Sequence, residues 1–513
     1  MTSVQVLIAG AGPTGLMLAL RLARHGVSLR IIDKARGPGL ASRAMAVHAR
    51  TLEFYRQLGC ADDVVALGVK IEAIHLRDRD HEVARLPFKD IGAGLSPYPF
   101  VLAFPQDDHE RFLVEQLQAL GVEIEWNTAL ASFSQDGNGV HALLDQGGIE
   151  SFCDAAYLCG CDGARSRVRE ALQLGFPGGT YEHLYYVADV QVDGPRNTDL
   201  VGHIGEHTFA LMLPVRSSGM QRLIGIMPAS ADNKPEPTFE DVRPVVEPLL
   251  GIKVNEVNWF STYRVHHRVA AQFRVGRCFI SGDAAHIHSP AGGQGMNTGI
   301  GDAVNLAWKL AQVLQQRADP SLLDSYEAER IVFARKLVAT TDRVFQLVVS
   351  DGAGGQLVRH WLLPHVFPFL TGFAAARRAM FKTLSQVQIN YEDSMLSAGR
   401  AGEILGGDRL PWVHAAGHDN FDPLQSMDWQ LHVYGESAAS LEAEADALGL
   451  PLHIFQWSDE ADKAGLLQDG AYLVRPDGYV ALALPRQESG SLPEYVARLG
   501  LRFGQPALHQ APA

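Results

Sequence analysis

Residues 4–33 read VQVLIAGAGPTGLMLALRLARHGVSLRIID. The run VQVLIA (residues 4–9) is short and apolar, as a buried strand of a parallel sheet must be. Gly10, Gly12 and Gly15 follow in GAGPTG, with Pro13 and Thr14 between the last two. Leu16, Ala19, Leu20 and Ala23 then recur at the helical period, and Gly26 is placed to stop that helix. VSLRII (residues 27–32) is a second strand with Asp33 at its tip, 18 residues past the last glycine. The stretch is a complete β-α-β unit whose spacing has a chemical reason. The first glycine permits a tight turn, and the second lets backbone approach a pyrophosphate. The third lets the helix pack close to the strand, with its N-terminal N–H groups and dipole toward the phosphates. Asp33 is placed to accept hydrogen bonds from ribose hydroxyls. The unit predicts a bound dinucleotide and does not distinguish NAD from FAD.

At 513 residues the chain is long enough for two or three domains. Its 47% hydrophobic and 20% charged residues are an ordinary globular balance. A formal charge of −14 argues against a nucleic-acid partner, which needs a basic face. No run approaches the roughly 18 apolar residues of a membrane span. The N-terminus lacks the basic region and cleavage site of a signal peptide, so its apolar run belongs to the fold. Cysteines stand at 60, 153, 159, 161 and 278. An odd number without a disulfide framework predicts a reducing compartment, and the cytoplasm is the expected address. Cys159 and Cys161 form C-x-C, a pattern of strand residues and not of a redox pair.

Two further segments bear on which dinucleotide is bound. In AAYLCGCDGARSRVRE (residues 155–170) a strand ends at Asp162-Gly163 and a basic, helix-prone stretch follows. In SGDAAHIHSPAGGQGMNTGIG (residues 281–301) the strand before it ends at Gly282-Asp283. A helix follows, with Val304, Ala307, Leu310 and Ala311 on its apolar face. His286 and His288 form H-x-H, which binds metal only with further carboxylate or histidine support, so no metal is expected.

Taken in order, GAGPTG, CDGARSRVR and GDAAHIHSPAGGQGMNTGIGDAVNLAWKL resemble the class A flavoprotein monooxygenases. These are the FAD-dependent aromatic hydroxylases of the para-hydroxybenzoate hydroxylase fold, and the likeness covers roughly residues 4–345. RTLEFYRQLG (residues 50–59) and SYEAERIVFA (residues 325–334) are similar to family segments as well. The resemblance implies that Gly10, Gly12 and Gly15, with Pro13 and Thr14, hold the FAD pyrophosphate, and that Asp33 holds the adenosine ribose. It puts Lys34 and Arg43 around the adenosine and diphosphate, Gln106 on the ribityl chain, and the Leu130 backbone at the adenine. Asp162 and Gly163 would serve both FAD and NADPH positioning, and Asp283, beside Gly282, would bond the ribityl hydroxyls. The family more often has Glu where this chain has Asp33, and the shorter acid still reaches a ribose. Pro290 to Gly293 would face the reacting side of the isoalloxazine ring. Amides at the helix start, around Gly295, Met296 and Asn297, would stabilise negative charge on reduced flavin, with the Asn297 side chain as a further donor. The family pattern places His286 after GDAA without metal.

The implied fold class is α/β (α+β overall). A Rossmann-like FAD-binding domain takes residues 1–175 and 276–345, with part of the substrate layer near 74–100. An antiparallel substrate domain takes 176–275, with strand-like patches at 185–192, 207–215 and 222–228. His203, Phe209, Leu211, Leu213 and Arg216 are candidates to line a cavity there. A helical linker at 346–395 and a thioredoxin-like domain at 396–513 complete the chain. No cysteine lies beyond Cys278, so the tail cannot do dithiol chemistry, and a structural or homodimer-contact role is expected. The implied activity is an O2-using monooxygenase with NADPH or NADH as transient donor. It would hydroxylate a phenolic or polyketide-type aromatic substrate through a flavin C4a-hydroperoxide. The alternatives are Baeyer–Villiger or antibiotic-oxidising chemistry, or a flavoprotein reductase on the same fold. No residue is assigned as catalytic from the sequence.

Overall fold

A computed structural model describes residues 2–39, 44–78, 81–193, 198–205, 208–216, 219–231, 234–289, 291–349 and 373–504. The first apolar run forms the strand Thr2–Ala9, with Val6, Leu7 and Ile8 wholly buried. It lies inside a parallel array ordered Cys278–Ile280, Ile149–Gly160, Thr2–Ala9, Leu29–Ile32 and Ile124–Glu125. Both faces of such a sheet are covered, which is why Val6, Leu7, Ile8 and Ala9 are apolar in succession. Register aligns Ala9 with Gly160 and with Ile32, and Gly160 with Ile280. The chain therefore leaves four adjacent strands at one edge, and each sequence motif begins there. Ligands of open α/β sheets bind outside the carboxyl ends of the strands. The register thus brings together segments far apart in sequence.

Helix Pro13–Arg24 runs back along the sheet, with Leu16, Met17, Leu18, Leu20 and Leu22 buried. Each such side chain contributes about 1.5–3 kcal/mol by leaving water. The packing leaves no room for a β-carbon at the turn. One on Gly15 would stand 1.9 Å from the Gly10 carbonyl oxygen, and one on Gly10 would stand 2.3 Å from that of Cys161.

The second sheet has eight strands. Their order is His286–Ile287, Val254–Val269, Gly178–Val192, Gln221–Ile226, Thr208–Pro214, Leu200–Gly205, Ala73–Asp78 and His81–Pro87. Alternation along a strand separates its two faces. On Thr208–Pro214, Ala210 and Met212 pack with Val246 and Leu250 of helix Arg243–Leu250. Leu211 and Leu213 face the other way, into a cavity.

The tail builds a six-stranded sheet of its own. Gln430–Tyr434, helix Ala439–Leu448 and Leu452–Phe455 form a parallel β-α-β unit. The hairpin Gly470–Val474 and Val480–Leu484 follows. The hairpin turn is driven into the first domain. The Pro476 carbonyl accepts from Arg21 at 3.2 Å, the Asp477 carbonyl from Arg50 at 2.6 Å, and the Asp477 carboxylate from Trp308 Nε1 at 3.0 Å. Arg409 adds a bidentate pair to Glu53 at 2.6 and 2.9 Å. All five cysteines are buried, and none is in a disulfide. No helix among the described residues is long and apolar enough to cross a membrane.

Two wholly buried histidines make stability depend on pH. Burial pushes His109, which shares a hydrogen bond with the Tyr55 hydroxyl, down to about 3. Burial, with His453 alongside, drives His432 far below its ordinary range. Both stay neutral in the fold, whereas in the unfolded chain they protonate near pH 6.5. Their stabilising contribution is therefore full above pH 6.5 and is lost as pH falls toward the folded values. Urea unfolding at pH 7.5 and pH 5 is expected to show a loss of about 1–2 kcal/mol per histidine at the lower pH. A flat profile would contradict the burial of neutral imidazoles.

Candidate active site

A cavity of about 1050 Å³ opens at the strand tips, between the parallel sheet and the second sheet. That volume is at the upper end of small-molecule sites. One part is lined by Gly12, Pro13, Thr14, Gln106, Gly163, Asp283, Gly293, Gly295 and Met296, all singled out from the sequence. The opposite wall is apolar and aromatic, and includes Ile71, Phe88, Leu211, Leu213, Trp259 and Tyr263. Of the candidate substrate residues only Leu211 and Leu213 reach it. Arg216 is instead held by Asp107 and, at 2.9 Å, by Asp108.

The lining fits a dinucleotide. A β-carbon on Gly12 would meet nothing within 4 Å, so that backbone faces open space. The helix it caps has no acidic residue in its first turn, which leaves its amides and dipole available to an anion. Gly292 and Gly293 are both left-handed, at φ 72° and 63°. That conformation lets the chain turn sharply into helix Gln294–Leu314 while presenting bare backbone to the cavity.

Other predicted residues lie behind this surface. Gly10 and Gly15 form the packed turn, and Gly282 is buried. Both oxygens of Asp33 accept backbone N–H groups, from Ala11 at 2.7 Å and Ala35 at 2.8 Å, so the acid also shapes the glycine turn. Lys34 is exposed. Leu130 sits in strand Thr128–Gln135 opposite Leu144 and does not line the cavity. Asp162 caps helix Arg167–Ala171 through the amides of Arg167 and Val168, at 2.6 and 3.2 Å, and its neighbours Cys161 and Gly163 line the cavity. Arg43, Pro290 and residues 350–372 of the expected linker lie outside the described residues.

One expectation is corrected. The Asn297 side chain is not a donor to the cavity. Its amide donates to the carbonyls of Ala46 and Gly293 at 2.8 and 2.9 Å, and its oxygen accepts from His48 N and Thr51 Oγ1 at 3.0 and 2.7 Å. Buried amides satisfy themselves where they can, and here that ties the helix start to the segment 46–51.

The Gly282-Asp283 loop is held by a network the sequence reading missed. Asp302 accepts the Gly282 N–H at 3.0 Å, His286 Nε2 at 2.7 Å and Arg330 Nε at 2.6 Å. Burial would raise this carboxyl, but Arg330 and His286 hold it down at about 2. Its signal was a lone acid within the otherwise uncharged run QGMNTGIGDAVNLAW, residues 294–308. His288 Nδ1 lies 2.9 Å from the Ser289 carbonyl. Asp302→Asn keeps the shape and removes the charge, so it should loosen the loop. FAD is expected to be released about tenfold more readily on dilution, followed by recovery of free-flavin fluorescence. Unchanged release would disconnect Asp302 from the loop's function.

Comparison with known proteins agrees with this geometry. The family described as FAD binding domain matches residues 3–341. The 6-methylpretetramide 4-monooxygenase of Streptomyces rimosus is 35% identical over 534 residues, covering 95% of this chain and 91% of that protein. The pentachlorophenol 4-monooxygenase of Sphingobium chlorophenolicum is 32% identical over 79% of this chain and 75% of its own. Among solved structures, a ternary complex of aklavinone-11 hydroxylase with FAD and aklavinone superposes with TM-score 0.78 at 28% identity, over 98% and 99% of the two chains. Glycine turns gathered at the strand tips, a match across two thirds of the chain and monooxygenase relatives alike over 79% and 95% of it lead to one conclusion: the chain belongs to the FAD-binding family and is an FAD-dependent monooxygenase.

Proposed function

We propose that this monooxygenase hydroxylates a phenolic or polyketide-type aromatic compound, using O2 and either NADPH or NADH. The observation that carries the reading is the joining, in one cavity, of the glycine-lined strand tips and an apolar, aromatic wall. In this arrangement Gly10, Gly12, Pro13, Thr14 and Gly15 hold the pyrophosphate at the start of helix Pro13–Arg24. Asp33, Lys34, Arg43 and the Leu130 backbone surround the adenosine, and Gln106, Gly282 and Asp283 take the ribityl chain. Asp162 holds the turn from which Gly163 meets FAD and the nicotinamide donor. Pro290, Gly293, Gly295, Met296 and the Asn297 backbone border the ring. When bound, the flavin supplies electron transfer and oxygen activation. The protein's share is positioning, exclusion of water by the apolar wall, and stabilisation of negative charge. No acid stands in the first turn of helix Gln294–Leu314 to oppose that last role. The C-terminal domain acts structurally, as a docked support or homodimer contact. Five cysteines outside any disulfide accord with a cytoplasmic enzyme.

The test is anaerobic reduction of the protein's flavin by NADPH and by NADH, with and without members of a panel of phenols. One aromatic compound should accelerate the bleaching and, on admission of air, appear hydroxylated. Reduction indifferent to every aromatic compound, with no hydroxylated product, would sink the reading in favour of a reductase.

A further inference from the structure

Three buried side-chain atoms on cavity-lining residues have no hydrogen-bond partner among the described residues: His48 Nδ1, His288 Nε2 and Ser289 Oγ. Leaving such an atom unsatisfied costs about 1–3 kcal/mol, so each marks a place where a bound molecule can complete the bond. His288 belongs with the cofactor side. A β-carbon on Gly295, at the start of the long helix, would lie 3.8 Å from its Nε2. His48 stands between that side and the apolar wall. It follows the strand Ala46–Val47, which pairs with Val101–Ala103, and Val101 and Ala103 line the cavity beside Ile71.

The state of the His48 ring is set by its surroundings. The side chain is buried, and Nε2 lies 2.9 Å from the Gly292 carbonyl oxygen. A carbonyl can only accept, so Nε2 carries the hydrogen and Nδ1 is left as a bare lone pair. Burial pushes the imidazole down to about 4, against the pull of the Gly292 and Gly293 carbonyls. The ring is therefore neutral at pH 7, and Nδ1 is an acceptor without charge.

We propose that His48 Nδ1 accepts the hydrogen bond of the substrate's hydroxyl group and so orients the aromatic ring beside the Gly292-Gly293 loop. The proposal rests on the aromatic-hydroxylase reading of the cavity. The contact is a hydrogen bond, with no proton transferred. It selects a neutral phenol over an ether of the same shape, because the ether has no hydrogen to donate while Nδ1 stays unpaired.

Binding can be read without turnover. The oxidised, FAD-loaded protein is titrated with 2-naphthol and with 2-methoxynaphthalene, and the flavin absorbance is followed. Wild type is expected to prefer naphthol by on the order of tenfold. His48→Gln keeps a donor for the Gly292 carbonyl but offers no acceptor at the δ position, so it should weaken naphthol alone and abolish the preference. His48→Asn, with an oxygen at the δ position, should keep part of it. If His48→Gln changes both affinities equally, or neither, His48 has no such role, and the aromatic site still stands. If wild type binds neither compound, the aromatic reading and this inference fall together. The wild-type complex gives a check that needs no variant. Bound naphthol at pH 7 should keep the absorption of the neutral form, and a naphtholate spectrum would overturn the proposal.

Discussion

Gly12→Val is expected to fold as the wild type does and to lose FAD. The two outcomes separate because of where the glycine points. A β-carbon at Gly12 meets no protein atom within 4 Å, so the fold has room for the valine. That open space is the place assigned to the pyrophosphate, and filling it should weaken FAD by on the order of 100-fold. The neighbouring glycines should behave in the opposite sense. A side chain at Gly15 runs into the Gly10 carbonyl at 1.9 Å, so Gly15→Val should damage the helix–strand packing itself. The check is flavin content per protein together with the thermal transition of the flavin-free form. Normal flavin occupancy in Gly12→Val would remove the pyrophosphate from this turn, and a collapsed transition would show that the position is structural.

Glu329→Ala is expected to destabilise the protein by about 3–5 kcal/mol. Glu329 lies wholly buried on helix Asp324–Val349. It accepts from Arg475 at 2.8 and 2.9 Å, Lys309 at 2.8 Å, Asn305 at 2.6 Å and Ser394 at 2.7 Å. Burial would raise its carboxyl, but Arg475 and Lys309 hold it well below the usual carboxylate range. Alanine leaves two cations in the interior with too little to face them, and uncompensated buried charge is the costly case. The contrast is the exposed pair Arg243–Glu240 at 2.9 Å, where Glu240→Ala should cost less than about 1 kcal/mol. Chemical unfolding of both variants gives the comparison. Because Arg475 belongs to the tail and Lys309 to the long helix, the transition should begin with undocking of the C-terminal domain. A loss below about 1 kcal/mol for Glu329→Ala would mean that apolar packing, and not this cluster, holds the domains together.

The N-terminal β-α-β unit was legible because its signals are local. Apolar runs of strand length, the helical period of Leu16 to Ala23 and the glycine spacing need no knowledge of the rest of the chain. The same holds for the hairpin around Pro476-Asp477-Gly478. Ordered glycine motifs further implied the cofactor and the class of chemistry. What those signals omit is which side chain meets which. Asn297 read as a donor to the flavin, yet its amide is consumed by Ala46 and Gly293. Asp162 read as a ligand, and the motif alone does not show that one of its oxygens also caps the next helix. Asp302 with Arg330, and Glu329 with Arg475, pair residues 28 and 146 positions apart. The bare nitrogen of His48 depends on a carbonyl 244 positions away. Short-range pattern determines strands, helices and turns, because backbone geometry sets their periods. The tertiary structure alone decides the partners of buried polar groups, since that choice is made between segments that meet only when the sheets close over the cavity.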